Sequence, residues 1–296
     1  MEKQTRKYNE SRAVNGGARP AHTAMAQQPE IITSAQNPRV KYLLTLQQKS
    51  QERKSAGRFV VEGRRELMHC IEAGYRVDSA FVREDLLGTP DLSLPQGTSL
   101  IPVNARVYER IAYRGGTEGI VAIVESRTLR LTDLRLCPNP LIVVLESVEK
   151  PGNLGAVLRS ADAAQADAVI VCDPMTDLFN PNLIRSSIGA IFSVPCVACS
   201  SEDCISFLKE RHIQILTAQL QDSRLYYDTP MQQGTAIVMG TESTGLTAVW
   251  RKAADAHIRI PMLGRLDSLN VSVSAAILLF EAVRQRQGQE RSEERR

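Results

Sequence analysis

Three short segments in the second half of the chain carry side chains able to do chemistry. In the first, Leu145 to Arg159, an apolar strand pattern runs into a Pro151-Gly152 turn and then into a helical pattern. Asn153 stands where it can cap that helix, and Gly155 leaves room for a second backbone to approach. Arg159 follows six residues after Asn153, about 120° away around the helix axis. In the second segment, Ile237 to Leu246, a strand feeds a polar loop bounded by Gly240 and Gly245 that contains Glu242. Such a loop presents backbone N–H and C=O groups at the carboxyl end of a strand, where open α/β sheets bind ligands. In the third, Ile260 to Ala276, a strand stops at Pro261 and a helix rich in small residues is expected to begin near Ser268, with Ser268 and Asn270 among its first polar groups. Taken singly, each segment also reads as an ordinary cap, turn or surface arginine.

Other chemistries lack their signatures. The chain has no Gly-x-Gly-x-x-Gly dinucleotide fingerprint, no P-loop and no Gly-x-Ser-x-Gly elbow. The four histidines, His22, His69, His212 and His257, form no triad-like pattern with Ser or Cys and read as surface or helix-end residues. Cys196-Val-Ala-Cys199 with Cys204 and His212 resembles half of a zinc pattern, without its second pair. A strand over Val194–Ala198 would turn alternate side chains to opposite faces, so core packing is favoured and no metal is expected.

These segments need a scaffold, and the apolar runs supply one. Leu141–Leu145, Ala168–Val171, Ile213–Leu216, Ala236–Met239 and His257–Ile260 are short and almost wholly apolar, with helical windows between most of them. That alternation predicts an α/β fold with a parallel sheet covered on both faces. Earlier in the chain, strand-like runs at Phe59–Val61, Ala80–Val82 and Ile120–Val124 alternate with helical patterns over Arg39–Gln47 (Val40, Leu43 and Leu44 on one face) and Arg64–Ala73 (Leu67, Cys70 and Ile71). The 296 residues thus divide into a small α/β domain over 31–125, a linker over 126–139 and a larger α/β domain over 140–287. Polar stretches at 1–30 and 288–296 are expected to be a flexible extension and a fraying tail.

The formal net charge is only +3, from 36 basic and 33 acidic residues. Its distribution says more. Between Arg39 and Arg65 eight basic residues face two acids, an excess of +6. The bland reading is a solvated helix face and loop, but a local, one-signed excess suits phosphate contacts, which makes Arg39, Lys41, Arg53, Lys54, Arg58, Arg64 and Arg65 candidate nucleic-acid-binding residues. No apolar run reaches the roughly 20 residues that span a bilayer, and Met1–Gln28 has no apolar secretory core. Six cysteines without short-scaffold spacing suit free thiols in a reducing, cytoplasmic compartment.

Together, Asn153-x-Gly155-x-x-x-Arg159, Gly240-x-Glu242-x-x-Gly245 and Ile260-Pro261-Met262 followed by Ser268-Leu269-Asn270-Val271-Ser272 resemble the motifs of the SpoU/TrmH family of RNA ribose 2′-O-methyltransferases, of the SPOUT class. In the first half, Ser34-Ala35-Gln36-Asn37-Pro38, Phe59-Val60-Val61-Glu62-Gly63 and Thr117-Glu118-Gly119-Ile120 are similar to that family's substrate-binding domain, of L30e-like fold. The resemblance runs from about Ile31 to Arg286 and implies a deep trefoil knot in the C-terminal domain. It implies S-adenosylmethionine bound in the knot, with contacts from Thr217, Ala218, Gly240, Ile260, Met262 and Leu269. It implies a catalytic set of Asn153, Arg159, Glu242, Ser268 and Asn270, a homodimer with sites shared across the knots, and ribosomal rather than transfer RNA as partner. Two positions depart from the family pattern: Lys150 stands where Asp is usual before Pro-Gly-Asn, and Ser243 where Gly often follows the motif Glu. Two other readings are a non-catalytic or tRNA-directed RNA-binding member of the same fold and a small-molecule methyltransferase. Arg159 and Asn270, both present, speak against loss of catalysis, and the basic stretch speaks against a small substrate.

Overall fold

A computed structural model describes residues 30–87, 93–113, 118–241 and 244–293. The expected extension therefore lies outside the described residues except for Glu30, as do Thr117, Glu242 and Ser243.

The first unit comprises α1 (Pro38–Gln48), α2 (Ser50–Ala56), β1 (Arg58–Glu62), α3 (Arg64–Glu72), β2 (Val77–Val82), α4 (Glu84–Leu87), β3 (Ser99–Pro102), α5 (Ala105–Ile111) and β4 (Ile120–Glu125). Its local signals are clear. The Asn37 side chain accepts from the Arg39 N–H at 2.9 Å with Pro38 in the first turn, and Gly57 ends α2 in the left-handed region at φ 60°. The buried stripe of α1 is Val40, Leu43 and Leu46, so the apolar face sits one position further round than Leu44 suggests. The sheet order is β1-β4-β2-β3, antiparallel except for the β2–β3 pair. Strand β3 escapes sequence reading because it is short, half exposed, and ends in a proline tolerated at a sheet edge.

The second unit contains β5 (Leu141–Glu146), α6 (Pro151–Ala163), β6 (Ala168–Cys172), α7 (Pro181–Ser186), α8 (Ala190–Ser193), β7 (Cys196–Cys199), α9 (Ser201–Glu210), β8 (Gln214–Ala218), β9 (Arg224–Leu225), β10 (Thr235–Met239), α10 (Ala248–Ala253), β11 (Ala256–Arg259) and α11 (Val271–Glu293). All strand pairs are parallel, in the order β7-β6-β5-β10-β8-β11-β9. Strands β5, β6 and β10 are buried along their whole length, as apolar runs covered on both faces should be. Along β5, Leu141, Val143 and Leu145 face one apolar layer while Ile142 and Val144 face the other. Chain order reverses between β5 and β10, so the carboxyl ends there are a topological switch point.

The two units are not beads on a string. Phe59, Val61, Leu67 and Val124 of the first share one continuous core with Leu154, Leu183 and Phe192 of the second. The Phe59 ring stacks on Phe179 with centroids 4.4 Å apart. Residues 126–139 form a 3-10 turn at Leu131–Asp133 and rest Leu131, Leu134 and Leu136 on the other face of the large sheet. Helix α11 runs on through Gly288 to Glu293. Arg286 anchors α11 by donating to the carbonyls of Asn139, Pro140, Met231 and Gln233.

Candidate active site

The loops leaving β8, β10 and β11 converge at the carboxyl edge of the sheet around a cavity of about 650 Å³. Ala218, Gly240, Ile260, Met262 and Leu269 line it, and so do Ser268 and Asn270. Thr217 does not. Its side chain is completely buried, and its Oγ1 lies 2.6 Å from Nδ1 of His257, its register partner on β11. The Thr217 side chain thus braces β8 against β11 beneath the cavity floor, and any cofactor contact would have to come from its backbone. His257 is likewise a strand residue rather than a surface or helix-end one, whereas His69 and His212 do sit at helix ends.

Each loop has a local reason for its path. After β10 the chain doubles back so tightly that a Cβ on Gly240 would overlap the backbone of Gly245 and lie 2.6 Å from the Leu246 nitrogen. Gly245 itself adopts φ 67°, where side chains are strained. The Thr244 N–H donates to Thr241 Oγ1 at 3.1 Å, closing the loop on itself. Its far end is tied down by Glu146, 3% exposed at the end of β5, whose carboxylate accepts from the Thr247 N–H at 2.9 Å and from Thr247 Oγ1 at 2.7 Å. Glu146 is a positioning residue that sequence reading passed over; its signal is a charged side chain at the end of a wholly apolar strand.

At the rim, Asn270 Nδ2 donates to Asn153 Oδ1 at 3.1 Å, joining the first and third segments across 117 residues. A smaller cavity of about 120 Å³, lined by Lys150 and Asn153, shares Gly240, Thr241 and Val271 with the larger one. Two helix-start expectations shift. Lys150 precedes Pro151 at the start of α6, which places Asn153 inside the first turn with its amide turned to Asn270. Helix α11 begins at Val271 rather than near Ser268, capped by Asn270 Oδ1, which accepts from the Ser272 N–H at 2.9 Å and Oγ at 2.6 Å. Asn270 thus serves as cap and rim donor with opposite ends of one amide.

Gly155 does what its type suggests. A Cβ there would lie 2.7 Å from Ser186 Cβ and 2.8 Å from its backbone carbonyl carbon, so α6 and α7 approach within the space a side chain would need. Arg159 is exposed on α6 and lines neither cavity. Glu242 lies outside the described residues.

The basic stretch separates into two kinds of residue. Arg39, Lys41, Lys54 and Arg65 are exposed and Arg64 is half-buried. The hydrogen bond Arg58 donates to Tyr42, and then its pairing with Asp78 at 2.9 Å, hold its pKa above the ordinary arginine value. Arg53 is corrected: it is 5% exposed, its Nε donates to Asp177 at 2.6 Å, and its Nη1 donates to the Leu46 carbonyl at 2.6 Å. An inter-unit strut of this kind has no face left for a phosphate. The cysteine set also divides. Cys196 packs in the core shared by the two units and His212 is exposed beyond α9, so the four residues weighed as a zinc pattern are not brought together.

A parallel α/β domain whose last loops enclose a cavity at the switch point, sharing a core with a smaller α/β unit, defines a two-domain scaffold suited to binding a ligand. Comparison with known proteins makes this specific. Residues 140–280 match the SpoU rRNA Methylase family, and residues 37–122 match the MRM3-like substrate binding domain. The chain is 36% identical over 197 residues, 65% of its length and 80% of the relative's, to the 23S rRNA (guanosine-2′-O-)-methyltransferase RlmB of Bordetella pertussis. It is 30% identical over 266 residues, 86% of its length and 92% of the relative's, to the 23S rRNA (uridine(2479)-2′-O)-methyltransferase of Streptomyces viridochromogenes. Among solved structures, the AdoMet-bound rRNA methyltransferase of Sinorhizobium meliloti superimposes with a TM-score of 0.79 at 29% identity, covering 86% of this chain and 97% of that one. The chain belongs to the SpoU rRNA methylase family.

Proposed function

We propose that this chain methylates a ribose 2′-hydroxyl in ribosomal RNA, with S-adenosylmethionine as methyl donor. The observation that carries the reading is the Asn270–Asn153 bond at the rim of the 650 Å³ cavity, because it joins two of the three motif segments beside a pocket that the third helps to wall. The pocket suits the donor. Its lining mixes apolar side chains such as Ala218, Ile260, Met262 and Leu269 with polar ones such as Arg259 and Asp267, and the Gln219 Oε1 atom beside it is buried with no partner among the described residues. An acceptor left in that state is ready for a ligand N–H or O–H. Ala218, Gly240, Ile260, Met262 and Leu269 would hold the donor, which supplies an electrophilic methyl on a sulfonium when bound.

The chain's own residues then have separable tasks. Asn153 and Asn270 fix the rim, and Ser268 Oγ presents a hydroxyl from the same wall. A ribose hydroxyl is a weak nucleophile, so holding it in line accounts for much of the rate. Arg159 grips the neighbouring phosphate and stabilises the developing alkoxide, since a guanidinium with pKa above about 12 does not readily serve as base. Arg39, Lys41, Lys54, Arg64 and Arg65 hold RNA on the first unit, which we read as L30e-like. We read the loops after β10 and β11 as the trefoil knot of the SPOUT class, a reading supported by the close doubling-back at Gly240. By its place in the Gly240-x-Glu242-x-x-Gly245 motif, we also read Glu242 as a member of the catalytic set.

We read the active form as a cytoplasmic homodimer. Leu263 and Leu266 are 96% and 76% exposed beside the cavity loop, and Val273 and Phe280 are exposed seven residues apart on one face of α11. A dimer on this face would let Arg159, which lines neither cavity of its own chain, serve the partner's. Mixed dimers test both claims together. Arg159→Ala and Asn270→Ala homodimers should be inactive, while their heterodimer regains one working site in two. Lack of recovery in a verified heterodimer refutes sharing across chains. Methyl transfer from labelled donor to ribosomal RNA, followed by nucleoside analysis, tests the reaction itself.

A further inference from the structure

We propose that Cys172, Cys199 and Cys204 form a zinc site, a metal centre separate from the methyl-transfer cavity and contrary to the expectation of no metal. Their sulfur atoms all lie within 4.8 Å of one another. Cys172 and Cys204 also sit in an apolar layer, with Cys199 packed against it, but the other cysteines are not part of the cluster: Cys70 and Cys196 lie in the shared core, and Cys137 is exposed beside Asp167. Packing alone explains a scattered set of buried thiols. It does not call for three of them to converge.

The convergence is built by backbone. Cys172 and Cys199 end the neighbouring parallel strands β6 and β7 as register partners. Cys204 enters from the first turns of the ten-residue helix α9, whose start is capped by Ser200 accepting from the Asp203 N–H at 3.1 Å. Three ligands thus come from three rigid elements rather than from a mobile loop. A tetrahedral zinc–thiolate bond of about 2.3 Å sets sulfurs about 3.8 Å apart, so side-chain rotation of under about 1 Å closes the site.

Access and charge also fit. Cys172 and Cys204 are completely buried, whereas Cys199 is partly exposed, which leaves an open side for metal entry and for a fourth ligand from solvent. Thiolate, not thiol, binds zinc, and Cys199 directly precedes the cap of α9, where the helix dipole favours negative charge. Two acids, Asp173 and Asp203, stand at the start of α9 next to the cluster, which favours a cation there. Three thiolates and one open position match zinc in preference to hard cations such as magnesium. Bound there, zinc would clip the ends of β6, β7 and α9 together. None of the three cysteines lines the methyl-transfer cavity, so the role is structural.

The test uses the full-length protein, reduced with a phosphine and stripped of metal, and titrates Co²⁺ as a spectroscopic stand-in for zinc. Saturation at one Co²⁺ per chain with thiolate-to-cobalt charge-transfer absorption is expected, and Zn²⁺ should bleach it. Cys199→Ser should lose that absorption and Cys137→Ser should keep it, with both variants showing wild-type circular dichroism. Zn²⁺ should raise the Tm of the wild type and of Cys137→Ser, but not of Cys199→Ser. Absence of charge-transfer absorption in the reduced wild type, or its persistence in Cys199→Ser, overturns the proposal. Metal-free protein that instead forms a Cys172–Cys199 disulfide in air, with no cobalt band after reduction, overturns it in favour of a thiol pair.

Discussion

Replacing Arg53 by methionine separates two accounts of the same residue. Counted along the sequence, Arg53 belongs to the RNA-binding stretch; in the fold it is a buried strut between α2 and the Asp177 turn of the other unit. Its Nε lies 2.6 Å from Asp177 Oδ2, and the two side chains are 5% and 10% exposed. The other Asp177 oxygen accepts from the Phe179 N–H at 3.0 Å, and Phe179 stacks on Phe59, so the pair also orders the joint between units. Removing one member of a buried pair strands the other charge, a loss of about 3–5 kcal/mol. For a chain of this size, at about 2–4 °C per kcal/mol, Arg53→Met should lower the Tm by roughly 6–20 °C. Arg53→Met with Asp177→Leu should recover much of that loss, because the stranded carboxylate is gone. The assay is thermal unfolding in parallel with RNA binding over a salt series. A phosphate contact would instead leave the Tm unchanged and lower the slope of log K against log salt by about one. That pair of results would refute the strut.

Three further outcomes follow from named contacts. Gly155→Ala gains about 1 kcal/mol in helix propensity but drives a methyl into Ser186 Cβ and backbone, which costs about 1–3 kcal/mol; net destabilisation by denaturant unfolding is expected, and Ser186→Ala should not rescue it. Asn270→Ala should lose about 1 kcal/mol of cap along with methyl transfer, whereas Asn270→Asp keeps the cap acceptor, lacks the Nδ2 donor to Asn153, and should unfold like wild type while remaining inactive. Arg284 bonds Glu281 at 2.7 Å and holds that carboxyl below the usual range. A carboxyl with a depressed folded pKa stabilises above its unfolded pKa of about 4.3, and the effect fades as pH falls through the folded value. The Tm gap between wild type and Arg284→Met should therefore be open at pH 7 and close in acid.

Periodicity and motif spacing carried most of this fold because they depend on local pattern. The wholly apolar β5, β6 and β10 announce a doubly covered parallel sheet without help from tertiary structure. Gly155 and Gly240 announce close approaches, since only a missing Cβ permits them. What escaped depends on who the neighbour is. Arg53 reads as one more surface cation until Asp177, 124 residues away, is brought against it. The Thr217 hydroxyl finds its partner only when His257, 40 residues on, is set beside it on the adjacent strand. Cys172 stands alone in sequence and meets Cys199 only through strand register. Asn153 and Asn270 were identified as site residues, but their joining at the rim, and the capping role of Asn270, follow from where α6 and α11 begin.

The central claim, ribose methylation of ribosomal RNA at this rim, meets its most direct test in one measurement. Unmodified 23S rRNA is incubated with the purified chain and S-adenosylmethionine carrying a labelled methyl, then digested to nucleosides. The account predicts label in a 2′-O-methyl nucleoside, with wild-type protein active and Asn270→Asp inactive. Label on a base nitrogen or carbon, or equal 2′-O-methyl yield from Asn270→Asp, would contradict it.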